Sequence, residues 1–233
     1  MIIAILISIH LLADFLFQTS AYSEKKRKII YFIVFEIILL AILEFKKGIL
    51  LGIIISVFHF LINYIVNKLE KRFRKRRLKL LFFSINQLIH FVILIGIYYI
   101  FNLENSVSNL YIKLQGYENF KIIILYISVF SIIYEPASVF IRKLFTSISS
   151  KTYPKENLEE LKAGNIIGKL ERIIIAILLL NNQFGVIGFV LTAKSIARFK
   201  QMENRDFAEK YLIGTLTSFL IVLISVLILK GLL

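Results

Sequence analysis

The chain has no cysteine at all, and only two prolines and three histidines among its 233 residues. Without cysteine there can be no disulfide, no thiolate metal site and no cysteine nucleophile, and the redox compartment is left open. No P-loop, dinucleotide fingerprint or Ser-His-Asp motif is present, so nucleotide-driven chemistry has no support in the sequence. Acid is scarce as well: 15 Asp and Glu stand against 29 Lys and Arg, a formal net charge of +14. In a soluble protein that excess would point to nucleic acid. Here the basic residues sit in short loops between apolar runs, where they set orientation and meet anionic headgroups, and no nucleic-acid partner is expected.

Apolar sequence is what the chain does have. It is 58% hydrophobic with a mean hydropathy of +0.79, well above the roughly 45–50% of soluble domains. Two prolines and ten glycines leave the apolar runs almost unbroken. Only a helix satisfies its own backbone in hydrocarbon when it lies in a single segment, so runs of about 20 apolar residues read as membrane spans. The expected fold is all-α, a polytopic transmembrane helical bundle forming one integral membrane domain over 1–233. It has eight spans, at about 1–18, 29–45, 48–67, 80–101, 120–143, 166–181, 184–199 and 209–230, or seven if the short seventh does not cross. The first run lacks a basic leader and a small-residue cleavage site and reads as a retained helix.

Orientation follows from the basic loops. EKKRK at 24–28 and KLEKRFRKRRLK at 68–79 belong in the cytoplasm by the positive-inside rule, which puts the N-terminus outside. The remaining loops alternate consistently: the near-neutral 104–119 and NNQFG fall outside, while RKLFTSISSKTYPKENLEELK and RFKQMENRDFAEK fall inside. A short amphipathic segment near 155–163 is expected at the cytoplasmic interface. Arg72, Arg74, Lys75, Arg76 and Arg77 form a basic surface facing anionic lipid.

Within the spans, polar residues recur at one depth. HLLADFLFQ begins at His10 and HFLINYIVN at His59, and each places an acid or amide four residues on, at Asp14 and Asn63. The fourth span runs the other way and carries the reversed pair Asn86 and His90 in NQLIH. An i, i+4 pair puts both side chains on one helix face, so three such faces can converge on one ion or one substrate group. Histidine with carboxylate or amide suits a divalent metal, zinc or manganese, with His10, Asp14, His59, Asn63, Asn86 and His90 as the ligand field and Asp14 as ligand or general base. The competing interpretation is polar glue between tightly packed helices. Glu36, Glu135 and Glu171 are expected at the same depth, Glu135 as a source of negative charge for the site or, beside Pro136, as the mark of a kink. Glu171 faces Lys194 and Arg198, which either pair with it and hold an anion or snorkel to the headgroups. Gly214 and Ser218 on the last span suit close helix packing.

HLLADFLFQT, HFLINYIVNK and INQLIH in the N-terminal part, with IIGKLERIII, IGFVLTAKSIARF and YLIGTLTS further on, resemble the bacterial inner-membrane family catalogued as domain of unknown function 3307. The resemblance implies a multi-pass protein of the bacterial cytoplasmic membrane, and it implies Asp where this chain has Asn63 and Asn86. It carries no established activity. Three functions are open at this stage: metal-assisted hydrolysis or transfer on a lipid or headgroup, transport of an ion or small solute, and a non-enzymatic scaffold or effector that binds anionic lipid or a partner through its basic loop, as a monomer or a homo-oligomer.

Overall fold

The computed structural model describes residues 1–15, 24–73, 76–148 and 158–232. The side chains of 24–28, Tyr31, 76–77 and 158–162 lie outside that description, so of the basic surface expected at Arg72, Arg74, Lys75, Arg76 and Arg77 only the Arg72 side chain is described. Among the described residues the fold is all helical, with one isolated bridge, Leu43 to Val107, and no strand. Four helical stretches are long and apolar enough to cross a membrane: Phe45–Arg72, Leu78–Ile100, Phe120–Ile148 and Arg205–Leu232. The chain is a helical membrane protein. Three further apolar helices are shorter.

The first of these, α1 (Ile2–Phe15), is the axis of the molecule. Its 14 residues are apolar nearly all round and ten of them are buried, as expected of a helix enclosed by others. Around it stand α2 (Glu24–Ile42), α3 (Phe45–Arg72) and α4 (Arg76–Ile100). Ile5, Leu6, Ile9, Phe35, Leu39, Leu51, Ile55 and Leu94 make their common core. A short α5 (Asn109–Gln115) closes one end, N-capped by Ser108, whose hydroxyl accepts from the Tyr111 N–H at 3.1 Å. Tyr111 is buried beneath it, and burial pushes its hydroxyl up to about 12.

The second half is built on the other side of α1. It comprises α6 (Phe120–Ile133), α7 (Glu135–Ile148), α8 (Leu158–Leu180), α9 (Phe184–Ala197), the four-residue α10 (Phe199–Met202) and α11 (Arg205–Leu232). Val129, Ile133, Ile175, Ala176, Val222 and Val226 form its core, which Ala4 of α1 joins. The amphipathic stretch expected near 155–163 begins outside the described residues, and from Leu158 onward it is the first turns of α8.

The expected fifth span is two helices. The ladder breaks at Tyr134, whose ψ of −84° is not helical, and resumes at Glu135. Pro136 explains the break, because it has no N–H to give and its ring crowds the carbonyl four residues back. Arg172 of α8, buried among these turns, repairs it. Its Nε donates to the Ile133 carbonyl at 2.6 Å, and its Nη2 donates to the Tyr134 carbonyl at 3.3 Å and to Ser138 Oγ at 2.5 Å.

Several loop contacts tie the helix ends together. Glu44 N donates to the Ser106 carbonyl, Lys47 reaches the Ser106 hydroxyl, and Lys230 reaches Asn182, which gathers the α2–α3 junction with 102–108 and the α8–α9 turn with the end of α11. At the opposite end Lys143 of α7 lies 3.8 Å from Glu70 of α3. Val57, Leu61, Val92, Phe189, Leu216 and Leu227 face outward, an apolar surface with no counterpart on soluble monomers.

Candidate metal centre

Three helices bring the three histidines together. His10 of α1, His59 of α3 and His90 of α4 are each buried, with ring centroids 5.3 Å apart for His10 and His59 and 4.7 Å apart for the other two pairs. One ring nitrogen from each can be chosen so that all three lie within 4.8 Å of one another. Each histidine stands on the buried stripe of its helix, as Gly52, Ile55, Ser56, His59 and Ile62 show for α3. The packing of the α1–α4 core therefore fixes the convergence of the rings.

Asn63 is the hub of the polar shell. Its Nδ2 donates to His59 Nε2 at 2.9 Å, and its Oδ1 accepts from Asn86 Nδ2 at 2.9 Å and faces His90 Nε2 at 3.5 Å. An amide can donate and accept in this way; a carboxylate only accepts. Asp14 stands at the edge, its Oδ1 3.8 Å from His59 Nε2, beyond hydrogen-bond length. Asp14 Oδ2 accepts from Gln87 Nε2 at 3.4 Å. The Asp14 side chain is 16% accessible against 4% for His59, so the carboxylate lies nearer the surface than the ring.

The donor set fits a first-row divalent ion. Two Zn–N bonds of about 2.0–2.1 Å place nitrogens at most about 4.1 Å apart, and about 3.4 Å in a tetrahedron, so a pair at the 4.8 Å limit must close by about 0.7 to 1.4 Å. His59 Nε2 would also exchange the Asn63 donor for the ion. Asn86 Oδ1 and Gln87 Oε1 are buried acceptors with no hydrogen-bond partner, an expense in an apolar interior that a cation or an ordered water relieves.

All six of His10, Asp14, His59, Asn63, Asn86 and His90 thus lie in one constellation. Gln87 belongs with them although the sequence reading passed over it. Its signal was available, since Gln87 and His90 are i, i+3 and share a face. Glu135 is held elsewhere, paired with Lys169, whose ammonium also lies 4.5 Å from the centre of the Tyr134 ring. Glu171 and Lys194 pair as expected at 2.5 Å, with Thr215 Oγ1 3.1 Å from the same ammonium. Arg198 takes no part and caps the end of α9. Glu36 does not share the depth of the histidines. It lies against Gly52, seven residues before His59, which is about 10 Å along α3. The reason is that α2 begins at Glu24 rather than near 29, so Glu36 is further from its start than the apolar run alone implies.

Residues 2–116 match the family model described as protein of unknown function, DUF3307. The N-terminal half of the chain belongs to this family. The DUF3307 match ends one residue beyond α5 and so contains every helix that contributes to the histidine centre. The C-terminal stretches that resemble the family, from IIGKLERIII onward, lie outside it. No curated protein and no solved structure matches the chain.

Proposed function

We propose that the DUF3307 half of the chain is a membrane-embedded metal centre, holding zinc or manganese through His10, His59 and His90, and that it serves hydrolysis or group transfer on a lipid or its headgroup. The observation that carries this reading is the convergence of three buried imidazoles from three different helices. A helix bundle rarely buries three neutral rings against one another merely to satisfy them, since each needs partners in a medium that offers few. A divalent ion held by the three imidazoles would supply Lewis acidity. Asp14, at the rim with Gln87 hydrogen-bonded to it, would be the general base. Asn63, itself held by Asn86, keeps its carbonyl oxygen toward His90.

Lipid as substrate follows from the surroundings. The rings are enclosed by apolar helices, and the rim at Asp14 looks toward the end that carries the basic loops. In the orientation proposed here that end is the cytoplasmic face of a bacterial inner membrane. An apolar crevice bounded by Leu12, Phe130, Tyr134 and Ile173 lies nearby, but Leu12 is about 200° round α1 from His10. It does not open on the rings. Transport of an ion or small solute through the same centre is the second reading, since buried imidazoles beside a partly accessible carboxylate can also bind an ion in transit.

Elemental analysis of purified protein reconstituted with zinc tests the proposal. One ion per chain is expected, lost in His59→Ala and His90→Ala, with Asp14→Asn keeping the ion and losing turnover of phospholipid. A folded wild-type protein with no zinc retained after gel filtration sinks the reading. Retained zinc with Asp14-dependent flux into proteoliposomes, and no turnover, favours transport.

A further inference from the structure

Three glutamates stand inside the apolar belt, and two have lysine partners: Glu135 with Lys169 and Glu171 with Lys194. Glu36 of α2 has none among the described side chains. Its Oε2 is buried without a hydrogen-bond partner. It sits in a notch made by a missing side chain, for a Cβ on Gly52 would lie 1.6 Å from that oxygen. One turn further along the same buried face of α3 is Ser56, 3% exposed, whose hydroxyl also lacks a partner. A carboxyl oxygen and a hydroxyl are thus left in the α2–α3 interface with no hydrogen-bond partner among the described residues.

The titratable groups on the helices packed against α2 do not fill that role. Lys46 and Lys47 at the start of α3 are exposed, and Lys47 turns to Ser106. Lys113 of α5 is exposed. His10, Asp14 and His59 belong to the histidine centre described above. A carboxylate left charged in hydrocarbon costs several kcal/mol or more, and the ordinary outcome is that it takes up a cation.

We infer that Glu36, seated on Gly52 with Ser56 one turn further along the buried face of α3, is a membrane-embedded site for one monovalent cation, a proton or a sodium ion. The site is distinct from the histidine centre and does not depend on a metal there. The Gly52 notch selects it, because a Cβ there leaves no room for the carboxyl head.

A hydrophobic carbodiimide distinguishes the occupants. A neutral carboxylic acid gives its proton to a carbodiimide nitrogen while its oxygen adds to the central carbon. An acyl shift from oxygen to nitrogen then leaves a stable N-acylurea with no atom lost. On full-length protein in phosphatidylcholine vesicles, dicyclohexylcarbodiimide in sodium-free buffer is expected to modify Glu36, located by mass spectrometry of peptides. The lysine-paired Glu135 and Glu171 stay unmodified, and Glu36→Gln abolishes the adduct. Slowing by several-fold when sodium chloride replaces choline chloride identifies sodium as the occupant, with the protection lost in Ser56→Ala. Equal rates in the two salts identify the proton. The inference is overturned if Glu36 in monodisperse protein stays unmodified from mildly acidic to mildly alkaline pH, or if all three glutamates react alike. Zinc content is read on the same samples, so failure here is separable from failure of the metal centre.

Discussion

At the scale of the residue, Asn63 answers a question that the sequence only poses. Asp14 and Asn63 occupy equivalent steps of two similar stretches, yet one is an acid and the other an amide. The structure makes Asn63 a junction that donates to His59 while accepting from Asn86. Asn63→Asp removes that donor, frees His59 Nε2 and adds a charged oxygen. It is expected to tighten zinc binding by roughly 10- to 100-fold, the scale on which groups around a metal act. Competition with a chromophoric chelator measures it, and an unchanged or weaker affinity contradicts the proposed ligand geometry. Arg172 is the other decisive residue. Arg172→Met strands the carbonyls of Ile133 and Tyr134, and a loss of about 2–4 kcal/mol is expected in denaturant unfolding followed by helicity. Arg172→Lys should recover little of it, because an ammonium lacks the planar fork that reaches both carbonyls and Ser138.

At the scale of the element, periodicity and depth were legible, and breaks were not. The i, i+4 spacing of His10 with Asp14, His59 with Asn63 and Asn86 with His90 was enough to anticipate one polar layer, because helical geometry turns spacing into a shared face. The pairing of Glu171 with Lys194 was legible for the same reason. What the sequence hid was anything that needed a second helix to reveal it. Arg172 reads as a neighbour of Glu171 pointing elsewhere, and only the broken turn on another helix shows where it points. The depth of Glu36 was misjudged because an apolar run reports where hydrocarbon begins, whereas a helix that starts in a basic loop carries its register from further back. Nothing in the sequence marks Gly52, yet its lack of a Cβ is what lets α2 and α3 meet over the Glu36 carboxyl. Gly52→Ala is expected to destabilise the protein by about 1–3 kcal/mol, the usual cost of overpacking. Glu36→Ala in the same chain should recover most of that loss. If the double variant is as unstable as Gly52→Ala alone, the contact between them is not what constrains the pair.

At the scale of the whole molecule, the absence of cysteine becomes an experimental advantage. Single cysteines report sidedness without a background to remove. Asn182→Cys, in the turn between α8 and α9, is expected to react with an impermeant maleimide from outside spheroplasts. Ser147→Cys, near the end of α7, should react only after permeabilisation. The reverse pattern inverts the proposed orientation and leaves the fold untouched.

The break at Tyr134 also gives the molecule a mechanical link between its halves. On one side of it α6 lies chiefly along α1, and on the other α7 lies chiefly along α4. These are the helices that carry His10 and His90. The bend thus seats α6 and α7 against the two helices that carry these imidazoles, with Arg172 hydrogen-bonded across it. A C-terminal half that lies outside the family match in this way buttresses a histidine cluster to which, among the described residues, it contributes no ring.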